Sequence, residues 1–415
     1  ALKYFDHNCV PIFLILGFIA IVFILGYFIY SLFFAPTITP PAGQGPAATT
    51  TAGGGLPQAG KGAGQIVKPG GGDGLLPSGG ETEKTPSQIA NGDLTKTTSI
   101  NDRAGLGATL GPDGSDLRYY DQGDGKFYRV DDSGNTSLLN DGVFHSVQKI
   151  VWSPDKNKAI LEYPDGANII YDFSNNKQIT LQKHWKDFYF SPDGKQIVLK
   201  SMGNNPDNSW LAVINDDASK VRAIEALGDK DATVYPSWSP NNQMIAMYTE
   251  GVDFDRQEVF FVGLNNENFK STIVEGRGFQ PKWAPEGDRL LYSVYSSAND
   301  YKPLLWIVNA NGDSIGSGRK NLSLETWADK CTFTKATELY CAVPENLEQG
   351  AGMMPELAKT TKDNLYKIDT QTGLKKLVAV PNGSFNMSNL IVSQNGDNLY
   401  FTDETTKKLY KIQLK

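Results

Sequence analysis

One turn recurs along the C-terminal two-thirds of this chain at a near-constant period, and few folds tolerate that. The clear copies are VWSPDKNKAILEY from Val151, YFSPDGKQIVLKS from Tyr189, SWSPNNQMIAMYT from Ser237 and KWAPEGDRLLYSV from Lys282. TLGPDGSDLRYYD from Thr109 keeps the turn without the preceding aromatic, and CTFTKATELYCAV from Cys331 and IVSQNGDNLYFTD from Ile391 are degraded copies. Taking Pro or its equivalent as the marker (112, 154, 192, 240, 285, 335 and 394), the spacings are 42, 38, 48, 45, 50 and 59 residues. Within each unit a short strand ends in an aromatic, a Pro-Asp-Gly type turn follows, and an alternating apolar strand comes next. Pro presets φ, Asp or Asn bonds back to the backbone and Gly supplies positive φ, so the turn closes a hairpin. Further apolar runs supply a third strand, as in Trp210–Ile214, Leu304–Val308 and Leu409–Ile412. A polar turn then leads into a fourth.

Four strands in 40 to 50 residues, repeated, describe an all-β propeller of four-stranded blades. A sandwich would not recycle one turn at a fixed period. Seven units are counted, and the irregular first and last two leave six and eight blades open. The last unit ends at Lys415 with three strands, which would expose a sheet edge. Thr-rich residues 94–100 have no hairpin partner of their own and are expected to complete that blade, placing the propeller at 91–415.

The WSPDG-type blade resembles the periplasmic TolB propeller and the wider TolB-like, WD-repeat-like family. The residues that carry the resemblance are Trp152-Ser153-Pro154-Asp155, Phe190-Ser191-Pro192-Asp193-Gly194, Trp238-Ser239-Pro240-Asn241 and Trp283-Ala284-Pro285-Glu286-Gly287. The resemblance covers roughly residues 104–415 and implies an extracytoplasmic protein-binding platform. The chain departs from TolB in lacking a recognisable globular N-terminal domain.

In its place stand an apolar run and a tether. Residues 10–34 contain no charged side chain. About 20 apolar residues suffice to cross the hydrocarbon core, and an amphipathic core helix would show a polar face. The exit, Ser31-Leu32-Phe33-Phe34-Ala35-Pro36, is too bulky for a signal-peptidase site, so a retained transmembrane helix is expected. Lys3 precedes the run and no Lys or Arg follows before Lys61. The positive-inside rule then puts residues 1–9 in the cytoplasm and the propeller on the extracytoplasmic side of the cell membrane, single-pass. Residues 35–90, rich in Gly, Pro and Thr, read as a flexible, disordered linker with a root-mean-square reach of about 40 Å.

Net charge is −7, which argues against nucleic acid, because phosphate binding requires clustered Lys and Arg. No nucleophile elbow occurs, and His7, His145 and His184 are the only histidines. The turn aspartates recur because the turn needs them. Asn204–Asn208 and Asp253–Asp255 offer hard oxygens, yet no twelve-residue calcium loop is present. Neither catalytic residues nor a metal or other cofactor are expected. Cys331 and Cys341 flank the sixth hairpin turn directly opposite one another, a spacing that fits a cross-strand disulfide and equally a pair of reduced core thiols.

What remains is binding. The second-to-third-strand loops and the blade-to-blade segments share one end of the ring. That end collects Trp185, Tyr235, Phe279 and Trp327, together with Met353 and Met354 on the longest loop, 344–363. These six are the expected contacts with a protein partner in the cell envelope or on the cell surface; the same aromatics would also suit packing between blades. The alternatives are a propeller lactonase or hydrolase with a channel metal, and a structural subunit of a membrane or surface assembly.

Overall fold

A computed structural model describes residues 23–25 and 85–415, apart from residue 266. Residues 1–9, nearly all of the apolar run 10–34 and most of the linker 35–90 lie outside the described residues. Among those described, no helix is long and apolar enough to cross a membrane.

Seven sheets follow one another along the chain. Each first strand lies at one edge of its sheet, and five of the seven line the central channel: Gly105–Leu110, Lys149–Trp152, Trp185–Phe190, Val234–Pro236 and Met387–Val392. The other two are Arg277–Trp283 and Cys331–Lys335. This is a seven-bladed β-propeller, and the recurring turn is the hairpin between first and second strands. Its parts act as the residue types require. The Ser191 hydroxyl accepts the Gln196 amide at 2.9 Å, and Ser239 and Ser393 do the same for Met244 and Asn398. The hydroxyl also holds the Asp193 carboxyl below the usual range. Gly194, Gly287, Asn242 and Lys156 all adopt positive φ at the corresponding turn position.

The aromatic before the turn joins blades. Trp152 donates to the Gly107 carbonyl of the preceding blade at 2.7 Å, and Trp283 to Ser237 at 3.3 Å. Gly107 stands at positive φ in a bulge of the first inner strand, where a Cβ would meet Ile150 at 2.7 Å. Only glycine allows blades one and two to come that close. The core is therefore a ring of inter-blade clusters, such as Phe127, Phe144, Tyr171 and Leu161 between blades one and two.

Closure uses the N-terminal segment in two places. Thr97–Ser99 pairs antiparallel with Leu409–Gln413 and forms the fourth strand of blade seven. Just before it, Leu94–Thr95 runs parallel to Lys375–Pro381 as a fifth strand on blade six. The order begins earlier than residue 91: Ala90 N donates to Gln413 O at 2.9 Å, and Ser87 and Ile89 form isolated bridges. Asn382 fixes the crossing, its side-chain oxygen accepting from both the amide and the hydroxyl of Thr97. In blade six Cys331 lies opposite Cys341 in register, and the two are joined by a disulfide, both wholly buried.

Candidate partner-binding site

Three of the aromatics expected at the surface are inside. Trp185 packs on Ile160, Ile170 and Leu199, filling the seam between blades two and three. Phe279 sits against Met244 and Met247, and half-buried Tyr235 meets its ring edge-on with centroids 5.9 Å apart. Trp327 is buried with Ala351 and Ala358 beneath the long loop. The physical reason is position: Trp185 and Phe279 lie in inner strands, where alternate side chains point at the neighbouring blade, and Trp327 precedes the turn Ala328–Lys330 that the long loop covers. They shape the face from below. Met353 and Met354 are exposed, at 53% and 55%.

The exposed anchor that the pattern did not single out is Phe254, 96% exposed at the tip of a blade-four turn. The turn beneath it is fixed. Asp253 accepts the Asp255 amide at 3.0 Å and the Arg256 guanidinium at 2.8 Å, and Arg277 donates to the Asp253 carbonyl at 3.0 Å. Asp255 in turn accepts the Ser297 amide and hydroxyl of blade five. The blade-five loop is itself tied to the long loop of blade six, where Gly350 N bonds Asp300 O and Gly352 N bonds Tyr301 O, each at 2.8 Å. Phe254 on the blade-four turn and Met353 and Met354 on the blade-six loop are thus stapled, through the blade-five loop, into one ledge. In the Asn- and Asp-rich segments, Asn205 caps the short Pro206–Asn208 turn and Asp253 and Asp255 hold the blade-four turn. Among the described residues no group of three His, Cys, Asp or Glu side chains is placed to hold a metal ion.

Under the ledge lies a buried polar knot. Asp363, wholly buried, pairs with Lys330 at 2.7 Å, and Lys330 also donates to Asn386 at 2.6 Å. Asn386 donates to the carbonyls of Ala358 and Lys359, tying the long loop down. Burial pushes the Asp363 carboxyl up to about 6, against the opposing charge of Lys330. A carboxyl raised by folding contributes its stability in full below the unfolded value near 3.8, and loses it as pH rises through about 6.

The central channel, about 1100 Å³, has a mixed lining, with Ile150, Trp152 and Phe188 beside Lys149, Asp187 and Lys200. At the wall between blades three and four, buried Lys200 lies 2.8 Å from Asp187 and 3.2 Å from Asp231, which Lys186 also meets at 2.6 Å. Burial works against ionising Asp231, yet the hydrogen bonds from Lys186 and Lys200 hold its carboxyl below the usual range. Its charges are paired, so this stretch of wall is structural.

Fold and site together define a seven-bladed propeller with a mixed polar and apolar channel and an exposed apolar ledge on one end. No family model matches the chain, and no curated protein matches it by sequence. Among solved structures, an oligogalacturonate lyase in complex with manganese shares the fold with a TM-score of 0.54 and 13% identity, over 77% of this chain and 93% of that one. The tricorn protease does so at 0.50 and 12%, over 80% of this chain and 34% of its own. The β-propeller domain of Myceliophteria thermophila Cps50 (Swd1) gives 0.49 and 10%, over 77% and 100%. At such identities the lyase and the tricorn protease share the fold alone. A lyase and a protease among them show that the ring does not choose a chemistry.

Proposed function

We propose that this chain is a membrane-anchored, extracytoplasmic protein-binding or scaffolding propeller of the TolB-like, WD-repeat-like kind. It meets a partner protein of the envelope or cell surface through the ledge of blades four to six. The observation that carries this reading is Phe254, an aromatic left almost wholly in water on a turn held by bonds from three other residues. A rigid exposed aromatic gives contact area at little ordering cost, as binding hot spots do. The apolar run 10–34, with Lys3 before it, supports the anchor, and the long Gly- and Pro-rich stretch supports a ring held away from the membrane. The triple variant Phe254→Ser, Met353→Ser, Met354→Ser tests the reading in the full chain. Recovery of cross-linked partner from membranes is expected to fall at least tenfold relative to wild type. Stability should stay within about 0.5 kcal/mol, because exposed side chains are being changed. Undiminished recovery with the fold intact would overturn the assignment.

A further inference from the structure

A second cavity of about 500 Å³ opens beside blade six, sharing Ser388, Glu404 and Lys407 with the channel wall. Its apolar side is made by Trp327, Pro355 and Ala358. Six charged residues line it, and five of them are engaged. Glu356 pairs with Lys359, Glu404 with Lys407, and Lys330 with Asp363 below.

Asp329 is the sixth. It sits on the short turn Ala328–Lys330, which leads into the inner strand of blade six and turns this side chain into the cavity. Among the described residues no ammonium or guanidinium lies within ion-pairing distance of it. Its support comes from backbone amides of Asp329 and Lys330 and, at longer range, from the charges of Lys282 and Lys330. Neither cation is at liberty to approach: Lys330 is held by Asp363 and Asn386, and Lys282 donates to the Cys331 carbonyl. Asp329 itself is solvent-exposed, and the protein packed around its carboxyl, by partial desolvation, leaves it above its usual range. A carboxylate that opens onto the cavity without a cation of its own is stabilised by an opposite charge brought to it.

We infer that this cavity is the socket for a basic side chain, lysine or arginine, of the bound partner, with Asp329 as its counter-ion. The aliphatic stem lies along Pro355, Ala358 and the edge of Trp327, as long cations do on apolar surface, and the head group reaches Asp329 for a charge-assisted hydrogen bond. The inference rests on the protein-binding reading above and adds the chemistry of one contact. It also accounts for Trp327, whose bulk is buried while its edge forms part of the wall.

L-argininamide is the probe, and citrullinamide, of the same shape with a neutral urea in place of the guanidinium, is its control. Both are titrated into the full chain and followed by chemical-shift changes. L-argininamide is expected to bind saturably and at least tenfold more tightly than citrullinamide. Asp329→Asn should erase that difference, while Asp313→Asn, the same change on an exposed turn of blade five, should preserve it. Asp329→Asn removes a poorly compensated charge, so its melting temperature should not fall. Equal binding of the two probes, no saturable binding of either, or selectivity that survives Asp329→Asn would overturn the socket. None of these outcomes depends on whether the Phe254 ledge captures a partner, so the two readings fail separately.

Discussion

Asp363→Ala is expected to cost the propeller about 3–5 kcal/mol, because it strands the Lys330 ammonium in the interior without its carboxylate. Lys330 is 7% exposed and Asp363 not at all. The change also takes the acceptor from the Met387 amide, now bonded at 2.6 Å, and so loosens the entry to blade seven. The pair need not be worth that much itself. Asp363 has one side-chain oxygen, Oδ1, with no partner, and its carboxyl is raised rather than lowered, so burial is only partly offset by Lys330. The double variant Lys330→Met/Asp363→Leu removes both charges and is expected to recover at least half of the loss, as apolar replacements of buried pairs commonly do. Urea unfolding of the single and double variants gives both numbers. Equal losses, or a single-variant cost under about 1 kcal/mol, would show that the knot does not anchor the long loop.

The second large effect concerns closure. A chain lacking residues 1–100 loses the fourth strand of blade seven and the fifth of blade six together. The bonds removed include Ala90 N to Gln413 O, Gly92 N to Val378 O, Asn382 N to Thr95 O and Ile100 N to Leu409 O, all 2.8–2.9 Å. The side chain of Asn101, whose oxygen accepts the Leu409 amide at 2.8 Å, stays but loses its strand neighbours. Each such bond contributes about 0.5–1.5 kcal/mol net. Leu409–Gln413 then becomes an open edge, and its amide hydrogen exchange is expected to accelerate at least a hundredfold, about 3 kcal/mol of lost local protection. The third strand of blade three, Trp210–Asn215, is the internal reference and should be unchanged. Equal exchange in the two strands would show that the ring closes without the N-terminal segment.

The contrast between what was readable and what was not follows from pattern strength. Blade number and hairpins were legible because Ser-Pro-Asp-Gly is a local chemical instruction, complete within five or six residues. The partner strand at 94–100 was legible only as an unpaired remainder. Its division between two blades was not, since the two residues Leu94–Thr95 carry no period to read. The bulged inner strands were equally silent: Asp187 and Asn389 adopt positive φ in the middle of strand-like sequence, as Gly107 and Gly278 do. At the site, aromatic identity misled. Trp185, Phe279 and Trp327 have the composition of contact residues, but the first two fill seams between blades and Trp327 packs beneath the long loop of its own blade. Phe254 carried the opposite signal, an aromatic flanked by two aspartates at a turn, where nothing apolar lies on either side to bury it.

The central claim is that one end of this ring, and in particular its ledge, meets a partner protein. A photo-cross-linking residue placed at Phe254 or Met353 tests it most directly. The same residue placed at Leu374, 72% exposed in a turn at the opposite end, is the control. After irradiation of intact membranes, positions 254 and 353 should yield the same discrete adduct and position 374 none. Adducts from 374 as abundant as those from the ledge, or none from 254 and 353, would contradict the account.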